Sequence, residues 1–157
     1  MPRIDLDVMD GKILKELQND ARQSNVELAK RVGLSPSPCL ARVRAMEKSG
    51  VIGRYVALIN PEIVGLGVSV FIQVTLERQV ERKLEAFEAR MVAFPEVMEC
   101  YLMTGDSDYL IRILVRANSE VERFIVQKLS TIEGVANIKS SFALKQVKYK
   151  TEITIDQ

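Results

Sequence analysis

The sequence predicts an α+β protein, an N-terminal helix-turn-helix domain followed by a ferredoxin-like βαββαβ domain. Three observations lead there. The first fifty residues carry apolar side chains at helical spacing with helix-capping signals between them. A turn of about three residues separates the second and third of these helices, the spacing of a helix-turn-helix. Beyond residue 65 the order strand, helix, strand occurs twice.

The first helix is expected from Asp7 to about Asp20, where Met9, Ile13, Leu14 and Leu17 alternate with Lys12, Lys15, Glu16 and Gln18. A second begins at Ser24, because a serine followed three residues later by Glu27 forms a capping box. Val26, Leu28, Ala29 and Val32 are assigned to its buried side, and Gly33 closes it. Ser35 as N-cap and Pro36 at the first helical position open a third helix running to about Ser49.

At 100° per residue this third helix gathers Cys39, Leu40, Val43 and Met46 on a core side. The opposite side collects Ser37, Ala41, Ala45 and Lys48, with Arg42 and Arg44 at its edges, a surface of small residues and cations suited to a major groove. Between residues 30 and 48 five cations face the single acid Glu47, a local charge of +4 within a chain whose net charge is only +1. On residue pattern alone, a solvated face of a protein-interaction module is the competing reading.

Val51 to Ile59 reads as an extended segment ended by Asn60-Pro61, either a wing or a linker strand. The domains are therefore placed at residues 1–53, a linker at 54–64, and residues 65–157. In the second domain strands are expected at Val68–Leu76, Val97–Thr104, from Tyr109 through Val115, and Val135–Val147. Helices are marked by Leu84, Phe87 and Met91 and by Val121, Phe124, Ile125 and Leu129. Two helices cover one face of such a sheet; the other carries apolar residues and is expected to pack against a second copy.

Thr104-Gly105-Asp106-Ser107-Asp108-Tyr109 joins the two halves. Its amides could receive a carboxylate while an aspartate pairs with an ammonium group. A tight hairpin turn with no ligand is the plainer reading of the spacing.

Composition excludes several functions. No histidine is present among 157 residues, so Ser-His and Cys-His nucleophile pairs are impossible. Cys39 and Cys100 stand far apart, which implies neither a disulfide framework nor a cysteine metal cluster, and no cofactor is expected. The 47% apolar and 27% charged content is that of a folded globular chain. No apolar run approaches the roughly 20 residues of a membrane span, and the first residues lack a signal-peptide pattern, so a cytoplasmic address is expected.

Four stretches, LDVMDGKILKELQNDAR, SNVELAKRVGLSPSPCLARVRAMEKSGVI, TGDSDYL and GVANIKSSFALKQVK, come in the order and spacing of one family. Nearly the whole chain resembles the Lrp/AsnC (feast/famine) transcriptional regulators. The resemblance implies a winged helix-turn-helix that binds double-stranded DNA and a ferredoxin-like RAM domain that forms dimers, tetramers or octamers and holds a small effector, an amino acid, between copies. It places Ser35, Ser37, Pro38, Arg42, Arg44 and Lys48 at the DNA, with Lys48 on phosphate. It places Gly105, Asp106, Asp108 and Tyr109 at the effector, with Thr104 preceding the turn and Thr131 and Ser141 in segments that could complete the pocket across an interface. An architectural DNA-compacting protein is one alternative; a sirohaem-decarboxylase-like enzyme is another, opposed by the missing histidines, so no enzymatic activity is expected.

Overall fold

The computed structural model describes residues 5–77 and 81–155, with backbone only at 81 and 82. The chain divides into two compact units, one formed by residues up to Leu58 together with those from Val147 onward, the other by Ile59–Gln146. The return of the C-terminal stretch departs from the boundary read in the sequence. Its cause is packing: Ile155 joins the apolar core of the first unit, and the Gln18 side-chain amide bonds both the N–H and the carbonyl of Ile153, at 2.7 and 3.2 Å.

The first unit contains α1 (Val8–Asn19), α2 (Asn25–Val32) and α3 (Pro36–Lys48). Asp7 and Asp10 cap α1 reciprocally, and Ser24 and Glu27 do the same for α2, each satisfying backbone N–H groups that a helix start leaves open. Gly33 ends α2 at φ +78°, a left-handed conformation that costs glycine nothing. Ile13, Leu14, Leu28, Ala29, Val32, Cys39, Val43 and Met46 form the core.

Two expectations need correction here. Val26 is exposed, because the arc that buries Leu28, Ala29 and Val32 lies on another side of α2. Leu40 is only half-buried, at the margin of the α3 core face. Past α3, residues 53–60 run without regular structure and form no strand; Tyr55 donates its hydroxyl proton to Glu47 at 2.9 Å.

The second unit contains β1 (Val68–Leu76), α4 (Glu81–Ala93), β2 (Val97–Leu102), β3 (Tyr109–Val115), α5 (Asn118–Arg123) and β4 (Val135–Phe142). The sheet order is β2-β3-β1-β4 and every neighbouring pair is antiparallel, the ferredoxin-like arrangement. Helix α5 runs on into a π-helical stretch, Phe124–Leu129, which the 3.6-residue pattern did not foretell. β4 stops short of the expected Val147 because β1 begins at Val68, and past the bond from Ala143 N–H to the Ser69 carbonyl no strand remains beside it.

Alternate residues of β1 and β3 are buried against Phe87, Met91, Val121, Phe124 and Leu129. The other sheet face carries Phe71, Leu110, Leu114 and Tyr101, half-buried or exposed, around an Arg112–Glu99 pair in which Nε and Nη2 donate to one carboxylate oxygen at 2.9 and 2.5 Å.

Candidate functional site

Each unit presents one surface with the chemistry of recognition. In the first it is α3. Three residues, Gly33 to Ser35, link it to α2, and Asn25 anchors the junction by donating its side-chain amide to the Pro36 carbonyl at 2.8 Å. Ser35 occupies the N-cap, but its side chain makes no capping bond and is exposed. Pro36, which lacks an N–H, already reduces what a cap must satisfy. Ser37, Pro38, Ala41, Arg44, Ala45 and Lys48 are all exposed, opposite the buried Cys39, Val43 and Met46.

Arg42 departs from this surface. Its Nη1 donates to Asp7 Oδ2 at 2.6 Å and to Asp10 Oδ1 at 2.8 Å, so the guanidinium ties α3 to the capping box that starts α1. The backbone N–H of Asp10, and then Arg42, hold the Asp7 carboxyl below the usual carboxylate range. Contact spanning more than thirty residues gave no local signal in the sequence, which is why Arg42 resembled one more groove cation. Arg31 on α2 approaches Glu16 at 3.4 Å. Lys30, Arg44 and Lys48 are exposed, and no ion pair involves them among the described residues.

In the second unit the surface is the β2–β3 turn. Thr104, Gly105 and Asp106 are exposed and Ser107 is half-buried. Gly105 has φ +122°, a conformation in which a side chain is strained, although the space around it is open. The turn is fastened from beneath. Met103 N–H donates to the Asp108 carbonyl at 2.8 Å, Asp108 N–H to the Val74 carbonyl at 2.9 Å, and the Thr75 hydroxyl to the Asp106 carbonyl at 3.4 Å.

The Asp108 carboxylate is buried and accepts the Leu76 N–H at 2.6 Å, beside the irregularity at Thr75/Leu76 in the β1–β4 pairing. It serves the strand ends and does not project from the turn. Tyr109 also points inward. It is 1% exposed, packs its ring tilted against Phe87 with centroids 4.6 Å apart, and donates its hydroxyl proton to Glu88 at 2.7 Å; burial and that carboxylate raise its pKa. Glu88, which no sequence motif singled out, is thus part of the support. Cys100 lies nearby in influence, its thiol pushed up to about 11 by burial and the Glu88 charge.

Of the remaining expected residues, Ser141 lies away from this turn within one chain, whereas Thr131 comes three residues before Gly134, whose carbonyl accepts the Glu77 N–H just past the β1 end that Asp108 also meets. Thr131 follows the π-helical stretch, its hydroxyl donating to the Lys128 carbonyl at 2.8 Å. Ser141 pairs with Phe71, five residues along β1 from Leu76, on the order of 16 Å at strand spacing. Both are exposed. Among the described residues no group of three or more Asp, Glu or Cys side chains is placed to hold a metal ion.

Two family models match the chain, one to each side of the linker. Residues 6–52 match the model for a winged helix-turn-helix DNA-binding domain, and residues 69–153 the Lrp/AsnC ligand binding domain. The leucine-responsive regulatory protein of Rhizobium meliloti is 39% identical, over 98% of each chain. That of Salmonella typhimurium is 41% identical, over 98% of this chain and 94% of its own. A transcriptional regulator from Neisseria meningitidis, solved as a complex with L-Met, superposes with a TM-score of 0.90 at 40% identity, over 95% of this chain and 96% of that one. Two domains in this order, matched along nearly the full length, leave one conclusion: the chain belongs to the Lrp/AsnC family of DNA-binding transcriptional regulators.

Proposed function

We propose that this regulator binds specific double-stranded DNA sites in the cytoplasm, as a homodimer or larger assembly, and that an amino acid bound at the Gly105 turn alters its affinity for them. The observation that carries the reading is the surface of α3, where small residues and unneutralised cations stand exposed opposite a fully apolar side. An α-helix of that composition fits a major groove, with side chains short enough to let the backbone approach.

Ser35, Ser37, Pro38, Arg44 and Lys48 form the contact surface, and Arg42 holds α3 in place through Asp7 and Asp10. Lys48, in the last turn, neutralises phosphate. At the effector turn the exposed backbone around Gly105 receives the carboxylate and Asp106 pairs with the ammonium group, both charge-assisted. Asp108 and Tyr109 shape the turn from within, while Thr104 flanks it. Thr131 and Ser141 contribute from another copy; within a single chain Ser141 pairs with Phe71, five residues along β1 from Leu76.

The Neisseria relative in complex with L-Met supports an amino-acid effector, and the exposed Phe71 and Tyr101 on the open sheet face support association. Effector held between copies changes the placement of the paired recognition helices and so the affinity for spaced half-sites. The test is a titration of full-length protein onto its own promoter fragment and a scrambled duplex at fixed salt, with and without each amino acid. Preference for the promoter, altered by one amino acid, is the expected result. Equal affinity for both duplexes, unmoved by any amino acid, would replace this reading with an architectural one.

A further inference from the structure

Two arginines stand two residues apart on α3, and the structure divides their tasks. The Arg42 guanidinium is drawn to Asp7 and Asp10, both of which accept from its Nη1. Arg44 is exposed and has no ion-pair partner among the described residues, and Glu47, the acid one turn further on, accepts the Tyr55 hydroxyl proton. At 100° per residue Ser37, Ala41, Arg44 and Lys48 fall within an arc of about 60°, centred opposite Cys39, Val43 and Met46. Along the axis Arg44 lies about 10 Å beyond Ser37, and Lys48 about 6 Å further, where the helix ends.

On this stripe Ser37 and Ala41 are short and Lys48 sits at the helix end, so Arg44 alone combines length with a planar fork of N–H donors. In the major groove that fork matches one base. Guanine offers two adjacent acceptors, O6 and N7, whereas adenine and cytosine each present an amino donor there and thymine a single acceptor. We infer that Arg44 reads a guanine at one fixed position of every half-site, with Arg42 acting only to position the helix. This rests on the DNA-binding reading above and adds to it a residue and a base.

The test selects duplexes from a random pool with full-length wild type, Arg44→Ala and Arg44→Lys. Wild type is expected to enrich half-sites with an invariant guanine, and 7-deazaguanine at that position, which lacks the N7 acceptor, should weaken binding about 5- to 150-fold. Arg44→Ala should lose the preference at that position and keep it elsewhere. Arg44→Lys, which keeps the charge but loses the planar fork, should bind more tightly than Arg44→Ala and prefer guanine less than wild type does; it also decides the matter if Arg44→Ala binds no duplex. Enriched sites without an invariant guanine, or Arg44 variants that select the wild-type site at uniformly lower affinity, would overturn the inference and make Arg44 a phosphate contact. A wild type that enriches no sequence would instead overturn sequence-specific binding itself.

Discussion

In the helical unit, charged side chains lie at the surface and set where helices start: Asp7 with Asp10, Ser24 with Glu27, and Arg42 joining the first of these boxes to α3. In the sheet unit the decisive carboxylate is inside, where Asp108 takes the Leu76 N–H beneath the Gly105 turn, and the surrounding strands are buried on one face. The α3 surface is therefore aimed by exposed electrostatics and the Gly105 turn by a core. Exposed pairs and caps contribute modestly and respond to pH, while buried groups contribute more and resist solvent.

The largest effect is expected in the sheet core. Ile72→Ala, at a fully buried position of β1, should destabilise the second unit by about 2–5 kcal/mol, read from denaturant unfolding of the full chain. Loss of DNA binding without such destabilisation would break the contrast. Next comes Asp108→Ala, which leaves the Leu76 N–H without its acceptor at a cost of about 1–3 kcal/mol. Amino-acid binding, followed by calorimetry, should weaken with it, and affinity for DNA in the absence of effector should stay near wild type.

How far these features were legible follows from their range. The Ser24–Glu27 box and the Gly33 stop are local, three residues or one, and could be read directly. Alternation in β1 and β3 likewise announced their buried faces. What escaped depends on tertiary register. Arg42 reaches acids at the other end of the helical unit, Asp108 meets an amide 32 residues earlier, and Gln18 meets Ile153 across 135 residues. At the turn, spacing displayed two carboxylates and a phenol as equals, although only Asp106 of the three is exposed. The π-helical stretch carries no period distinct from that of α5.

Smaller effects are expected at the exposed caps. Ser24→Ala removes one cap and should cost about 1 kcal/mol, visible as reduced protection of α2 amides in hydrogen exchange. Smallest in energy, and most specific, is the titration of the caps. Hydrogen bonds from Asp10 and Ser24 lower the carboxyl pKa values of Asp7 and Glu27, so the stabilisation they give is complete above the ordinary carboxyl range and is lost as pH falls through the lowered values. Arg42→Gln should raise the Asp7 midpoint part of the way towards 3.8, measured by carboxyl NMR shifts, and leave Glu27 where it is. An unchanged Asp7 midpoint would show that Arg42 does not hold the α1 start.

The proposed function requires that amino-acid binding and DNA binding by this chain be thermodynamically linked. Linkage is reciprocal for binding equilibria, so the most direct measurement is the affinity of the effective amino acid for the protein alone and for the protein saturated with promoter duplex. DNA should change amino-acid affinity by the same factor by which the amino acid changes DNA affinity. Identical amino-acid affinities with and without DNA would contradict it.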